Sequence, residues 1–208
     1  MVLASPARRS RRIVSQLALC AAPLLSALST FYWIEQDGRL EYGLVGGTVV
    51  FLAAPFWFFA FIALCDLLQN AAPRLAAWGP LPLAYGAVGA AAFGLDAVFA
   101  DAFALTHDAR MQAWAAHPLI FNLILFWPGP IVPLGLLILG ILLLRYRAVP
   151  LWSGLLLALS GIAFPVSRIA RVESIAHAAD LMILIPMVYI AFVAPRAPDQ
   201  NALHPKTA

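Results

Sequence analysis

Glu173, His177 and Asp180 lie four and three residues apart in a chain otherwise poor in ionisable groups. On a helix that spacing sets carboxylate, imidazole and carboxylate along one stripe. Imidazole titrates near neutrality, so the stripe suits a proton relay or half of a metal site. The plainer alternative leaves Glu173 in solvent and pairs His177 and Asp180 with Arg168, Arg171 or a loop backbone. Asp96 has no nearby partner in sequence and is the strongest single candidate for a substrate or proton site; its structural alternative is a hydrogen bond between helices. Asp101, Asn122, Arg168 and Arg171 complete the set expected to share a polar cavity with Asp96, His177 and Asp180, with His107 and His117 at its rim.

The elements that must carry these residues follow from composition. Of 208 residues, 63% are apolar and 11% charged, with a mean hydropathy of +0.88. Soluble domains run to roughly 45–50% apolar and about 25% charged, so the solvent is a bilayer. Disorder and a disulfide scaffold are both excluded, the latter because two cysteines cannot staple such a chain. The net charge of +3 is split among termini and short loops, which argues against nucleic acid as a partner. Six apolar runs are long enough to cross hydrocarbon, which takes roughly 20 helical residues. They are Ile13–Ile34, Tyr42–Leu68, Pro82–Ala104, Pro118–Leu144, Pro150–Val166 and Ile175–Ala194. The expected fold class is therefore all-α, a polytopic six-helix bundle spanning residues 13–194. A basic N-terminal segment, 1–12, precedes it and a flexible tail, 195–208, follows.

The first run reads as a retained helix. Arg8, Arg9, Arg11 and Arg12 make a basic start, and Ser10-Arg11-Arg12 has a faint likeness to a twin-arginine export signal. The run is of spanning length, however, longer than the roughly 7–15 residues of a signal core, and Tyr32 and Trp33 sit where interfacial anchors belong. Arg8, Arg9, Arg11, Arg12, Arg74, Arg145, Arg147, Arg196 and Lys206 collect on one side of the membrane, and Arg39, Arg110, Arg168 and Arg171 on the other. Basic loops resist translocation, so both termini are expected to be cytoplasmic, in the plasma membrane of a bacterium. Glu35, Asp37, Glu41, Asp108 and Glu173 then fall outside. Cys20 and Cys65 fall in the cytoplasmic half as small apolar residues rather than as an outer disulfide.

Depth along the helices groups the polar residues. Asp96 lies about 14 residues, or roughly 21 Å, into the third span, and Asp101 lies near its outer boundary. The sixth span enters from outside, which puts His177 and Asp180 in its first two turns beside Arg168 and Arg171. Asp66, beside Gln69 and Asn70, reads as an interfacial carboxylate. In the fourth span Trp127-Pro128-Gly129-Pro130 and Pro133 remove backbone donors and prevent a regular helix. Pro128, Gly129, Pro130 and Pro133 are thus the candidate helix break, which either kinks the bundle or lines a cavity near Asp96, Asn122 and Asp180. Gly86, Ala90 and Gly94 recur every four residues and suit close helix packing, within the chain or in a homo-oligomer.

No phosphate-binding glycine loop, haem-attachment motif, zincin helix or nucleophile elbow occurs in the sequence. The leading expectation is a non-enzymatic membrane protein that moves or senses a small solute, ion or proton through an outward-facing polar cavity. The alternatives are a membrane redox enzyme with a haem held by two of His107, His117 and His177, or a metal-dependent one, and an accessory subunit without a site. Expected partners are the lipid bilayer and a second copy or a membrane subunit. The cofactor, the substrate and any catalytic residue are not assigned by the sequence.

Overall fold

Proline and glycine punctuate the apolar runs, and the helices start where they stand. Pro73, Pro80 and Pro118 occupy first-turn positions, where the missing N–H would have had no helical partner. The computed structural model describes residues 6–36 and 38–193, with side chains from residue 9. The expected tail 195–208 lies outside these residues, as do Asp37, Arg196, Lys206, Ala194, the start of the basic segment and the Arg8 side chain. In chain order the elements are α1 Pro6–Thr30, β1 Ile34–Gln36, β2 Arg39–Glu41, α2 Gly43–Asp66, α3 Pro73–Trp78, α4 Pro80–Ala102, α5 His107–Ala116, α6 Pro118–Phe121, a π-helical turn Asn122–Phe126, α7 Ile131–Arg145, α8 Leu151–Ala170 and α9 Glu173–Val193.

Six of the described segments are long and apolar enough to cross a membrane. The third joins α3 and α4 as Pro73–Ala102, and the fourth runs from α6 through the π turn to α7 as Pro118–Arg145. The protein is all-α apart from one hairpin. Neighbouring spans pack in the cyclic order α1, α2, α4, the π turn with α7, α8, α9 and back to α1. Gln16 near the start of α1 donates to the Ala191 carbonyl near the end of α9 at 3.0 Å, so the chain enters and leaves at the same end of the bundle. The other end carries the hairpin, α5 and most of the ionisable residues, and is called the polar end below.

Three boundaries differ most from the apolar-run reading, and one is the start of the third span, at Pro73 with α3 rather than at Pro82. The first span stops at Thr30, and Ile34 belongs to the hairpin, in which Ile34 faces Glu41 and Gln36 faces Arg39. Gly38, at φ +73°, makes the tight reversal. The fifth span continues one turn past Val166 to Ala170 and ends at Arg171 in the left-handed region, φ 53°, so Arg168 sits on the helix.

Close approach of backbones holds the ring together, as expected where apolar helices gain nothing by leaving water. A methyl group on Gly94 would lie 2.6 Å from the Gly47 carbonyl oxygen, and one on Gly140 would lie 2.5 Å from the Ala158 nitrogen. The Gly86, Ala90, Gly94 stripe divides its work. Gly86 meets Ile131 and Val132, Gly94 meets Gly47 and Phe51, and Ala90 faces a cavity. At 3.6 residues per turn the stripe rotates by roughly 80° over eight residues, enough to change partners. Towards the terminal end the interior is solid, filled by Phe61, Leu64, Leu136, Leu143, Ile183 and Met187, each no more than 1% exposed.

Candidate functional site

The ionisable residues of the polar end form two linked groups. In the first, Arg168 on α8 donates through Nη2 to Asp180 Oδ1 on α9 at 2.6 Å. Asp180 is 1% exposed, and its other oxygen lies 3.0 Å from Thr30 Oγ1. Thr30 also reaches the Ala27 carbonyl at 2.8 Å, so its one hydroxyl proton serves two acceptors. An unpaired Asp or Arg at membrane depth costs roughly 2.5–3.5 kcal/mol on insertion scales, which explains why the two meet.

In the second group Glu41, ending the hairpin, lies 3.5 Å from Arg171 Nη1 and 3.8 Å from Arg110 Nη2. Arg110 Nε in turn lies 3.7 Å from Asp96 Oδ2. Arg171 Nη1 also donates to the Leu40 carbonyl. Trp33 joins the groups, with the Arg168 and Arg171 guanidinium carbons 5.7 and 5.9 Å from its ring centroid. Tyr42 meets Trp33 edge-on at 5.8 Å. Charges alternate within each group, and every span except the fourth contributes directly or through the segment next to it.

The remaining expected residues have separate places. Asp101 accepts the Leu44 N–H at 2.6 Å, which satisfies one of the donors left open at the start of α2. His177 packs its ring on Phe31 with centroids 4.0 Å apart, and Glu173 is exposed, so the stripe of three climbs from solvent to the buried Asp180. His107 Nε2 lies 3.2 Å from Arg39 Nη1, and His117 is exposed. Among the described residues no three His, Cys, Asp or Glu side chains converge on a point where a metal ion would sit. Glu41, Arg110, Trp33 and Thr30 were not among the expected site residues. Arg110 and Trp114, four apart on α5, form a short amphipathic signal. Trp114 stacks against Phe121 and Phe126 and so turns Arg110 inward.

The expected helix break takes the form of a π turn followed by a tight turn. Trp127 N–H bonds back to Asn122 O at 2.8 Å, five residues earlier. Asn122 thus contributes its carbonyl to the π turn. Leu123 O loses Trp127 as a donor, and the next residue, Pro128, has no N–H to offer. The Tyr85 hydroxyl on α4 donates to this carbonyl instead. Pro128, Pro130 and Pro133 likewise cannot donate to Ile124, Phe126 and Gly129. Pro128 is buried and seats its ring against Gly89.

Beside this break lies a cavity of about 570 Å³, within the roughly 300–1,000 Å³ typical of small-molecule sites. The fourth span provides Leu125, Phe126, Gly129, Pro130 and Pro133; α4 provides Gly86, Ala90 and Phe93; α2 provides Val50, Ala53 and Trp57. Polar wall residues are few: Ser26, Ser29, Tyr42, Arg168 and Arg171. Trp57 Nε1 donates to Ser26 Oγ at 2.9 Å, and Ser29 Oγ to the Ser26 carbonyl at 2.6 Å, so the serines are internally bonded. Of the residues expected to share a polar cavity, Arg168 and Arg171 form part of this wall. Asp96, Asp101, Asn122, His177 and Asp180 do not, and the wall is chiefly apolar. Asp96 and Asp180 are engaged by arginines and Asp101 by a helix start, which draws them into the seams between helices.

The cavity reaches the lipid-facing side. Below it, α7 and α8 touch backbone to backbone, where a methyl on Gly161 would lie 2.5 Å from the Pro133 carbonyl oxygen. Beyond that point the wall includes Ile169, 82% exposed, and Phe126 and Leu134, about half exposed. The proline-bearing turn of the fourth span and Pro165 of α8 flank this opening.

The fold and site define a class, the helical multi-pass membrane proteins with an internal cavity. Compared with protein-family models, curated proteins and solved structures, the chain finds no match.

Proposed function

We propose that this protein admits a small lipid-soluble or amphiphilic solute from the bilayer into its intramembrane cavity, in order to move it across or to sense it. The observation that carries the reading is the cavity of about 570 Å³, with apolar walls, beside a proline-broken helix and open towards lipid. Such a wall offers few groups to replace the water around a hydrated ion, and much surface to an apolar chain. The ion pairs surrounding it hold the helices apart at the polar end, and the packed terminal half forms its floor.

The proposal includes orientation: both termini cytoplasmic in a bacterial plasma membrane, with the cavity in the outer leaflet. The distribution of Lys and Arg supports this. A reporter fused after Ala208 should be active only in its cytoplasmic form; an exported C-terminus overturns the orientation.

The cavity reading is tested with the full chain in phosphatidylcholine nanodiscs and radiolabelled dodecanol, corrected for partition into empty discs. Saturable binding is expected, weakened about tenfold or more by Ala90→Phe, which fills the wall; about 1.4 kcal/mol gives each factor of ten. Counterflow in proteoliposomes then separates movement from sensing. Absence of saturable binding overturns the reading.

A further inference from the structure

Among the described residues of the cavity wall are two guanidinium groups, Arg168 and Arg171, and no carboxylate. The balancing Asp180 and Glu41 lie outside the wall, so the ionic pairings leave a surface of one sign facing the cavity. Unbonded donors also lie just behind this wall. Trp33, 9% exposed, has a buried indole Nε1 with no hydrogen-bond partner among the described residues, and Arg168 Nε is in the same state. Leaving a buried donor unbonded is costly, and here two belong to side chains that lie against each other. Arg171 engages Glu41 and Leu40 through Nη1 alone, and Tyr42 brings a hydroxyl to the same corner of the wall. Two guanidiniums and a phenol thus line this corner of the wall, with the unbonded indole N–H of Trp33 buried behind them.

We propose that this corner binds the anionic oxyacid head group, carboxylate or phosphate, of a single-tailed amphiphile whose tail lies along the apolar wall towards Trp57 and Gly86. Guanidinium forks bind such oxyanions through paired charge-assisted bonds. The lipid-facing opening admits the tail sideways, so the head group need not cross the hydrocarbon centre. The inference rests on the cavity reading and names its ligand class.

The test compares dodecyl phosphate, laurate, dodecanol and inorganic phosphate on the full chain in phosphatidylcholine nanodiscs. Dodecyl phosphate and laurate should bind at least about tenfold more tightly than dodecanol. Arg171→Gln, at a half-exposed side chain, should remove most of that difference, weakening the two anions far more than dodecanol. Tyr42→Phe keeps the ring of a wall residue and deletes its hydroxyl; it should weaken the two anions severalfold more than the alcohol, which keeps the test open if Arg171→Gln folds poorly. Equal affinity for alcohol and anions, or indifference of the anions to both substitutions, overturns the head-group assignment while leaving the cavity reading standing. Failure of all three amphiphiles overturns both. Inorganic phosphate binding as tightly as dodecyl phosphate overturns the tail assignment and identifies a free-anion site.

Discussion

Replacing Asp180 by Leu removes the counter-charge of Arg168 from a helix seam in which Asp180 is 1% exposed and the pair stands 2.6 Å apart. The Arg168 side chain is itself only 15% exposed. Its other contacts, a bond to Ser167 Oγ, the Phe164 ring at 4.5 Å, the Trp33 ring at 5.7 Å and the Tyr42 phenol, carry no formal negative charge and do not neutralise it. Removing one partner of a buried pair costs about 3–5 kcal/mol, because the other charge is left uncompensated. The insertion cost of a lone Arg, roughly 2.5–3.5 kcal/mol, is of the same order. Asp180→Asn should cost less, since the amide oxygen can still accept from Arg168 while the NH2 donates to the Thr30 hydroxyl, which keeps its bond to the Ala27 carbonyl. The double variant Arg168→Met/Asp180→Leu removes both charges and fills the space with apolar side chains, so its stability should return to within about 1 kcal/mol of the parent. Equilibrium unfolding in mixed anionic and neutral micelles reads the parent, Arg168→Met, Asp180→Leu and the double variant as a double-mutant cycle. A single-variant loss below about 1 kcal/mol, or a double variant as unstable as the sum of the singles, would refute the claim that the pair acts as one unit. Because Arg168 also lines the cavity, the stable double variant should lose affinity for amphiphilic anions, which separates the structural role of the pair from its place in the wall.

Tyr85→Phe withdraws the one donor that reaches the Leu123 carbonyl among the described residues, and should lower stability by about 0.6–1.7 kcal/mol, the span from average to strongest for hydrogen bonds between membrane helices; the same unfolding assay reads it. Gly94→Ala places a methyl group 2.6 Å from the Gly47 carbonyl oxygen, where both neighbours are backbone. It should destabilise by about 1–3 kcal/mol, whereas Gly38→Asn, in a turn with open space around it, should be nearly silent.

Six spans and their common entry end follow from runs of about 20 apolar residues, because the bilayer imposes a length that hydropathy records. Arg168 and Asp180 stand out because ionisable groups inside such runs are rare and need partners. Glu41 and Arg110 escape this filter. They lie between the apolar runs, and only the fold over them, a hairpin reversing at Gly38 and the ten-residue α5, returns them to the bundle. The Asp-Gly pair beside Ile34 and Leu40 is a hairpin signal in its own right, overridden by the length of the apolar run before it. The cavity is illegible for a different reason. Its volume depends on how far α8 diverges from the fourth span beyond Gly161, a matter of helix rotation and tilt that apolar periodicity does not encode when nearly every face is apolar.

The prolines of the fourth span decide whether that divergence is built in or incidental. A proline inside a helix costs about 3 kcal/mol in lost hydrogen bonding and ring clash, so three within six residues keep the fourth span from running straight through this turn and stand before α7 and in its first turn. Pro128 and Pro133 are buried, so replacing them opens voids that confuse the comparison. Pro130 is exposed and faces the opening, and Pro130→Ala would supply an N–H to the Phe126 carbonyl with little change in packing. If the turn exists to hold the cavity open, Pro130→Ala should leave stability unchanged or raised while weakening dodecanol binding severalfold, because a regular helix draws Phe126 and Gly129 back into line and narrows the wall. Loss of stability together with binding would mean that the proline shapes the bundle as a whole. Unchanged binding in a stabilised variant would mean that the opening owes nothing to the break, and would move the origin of the cavity to Pro165 on α8.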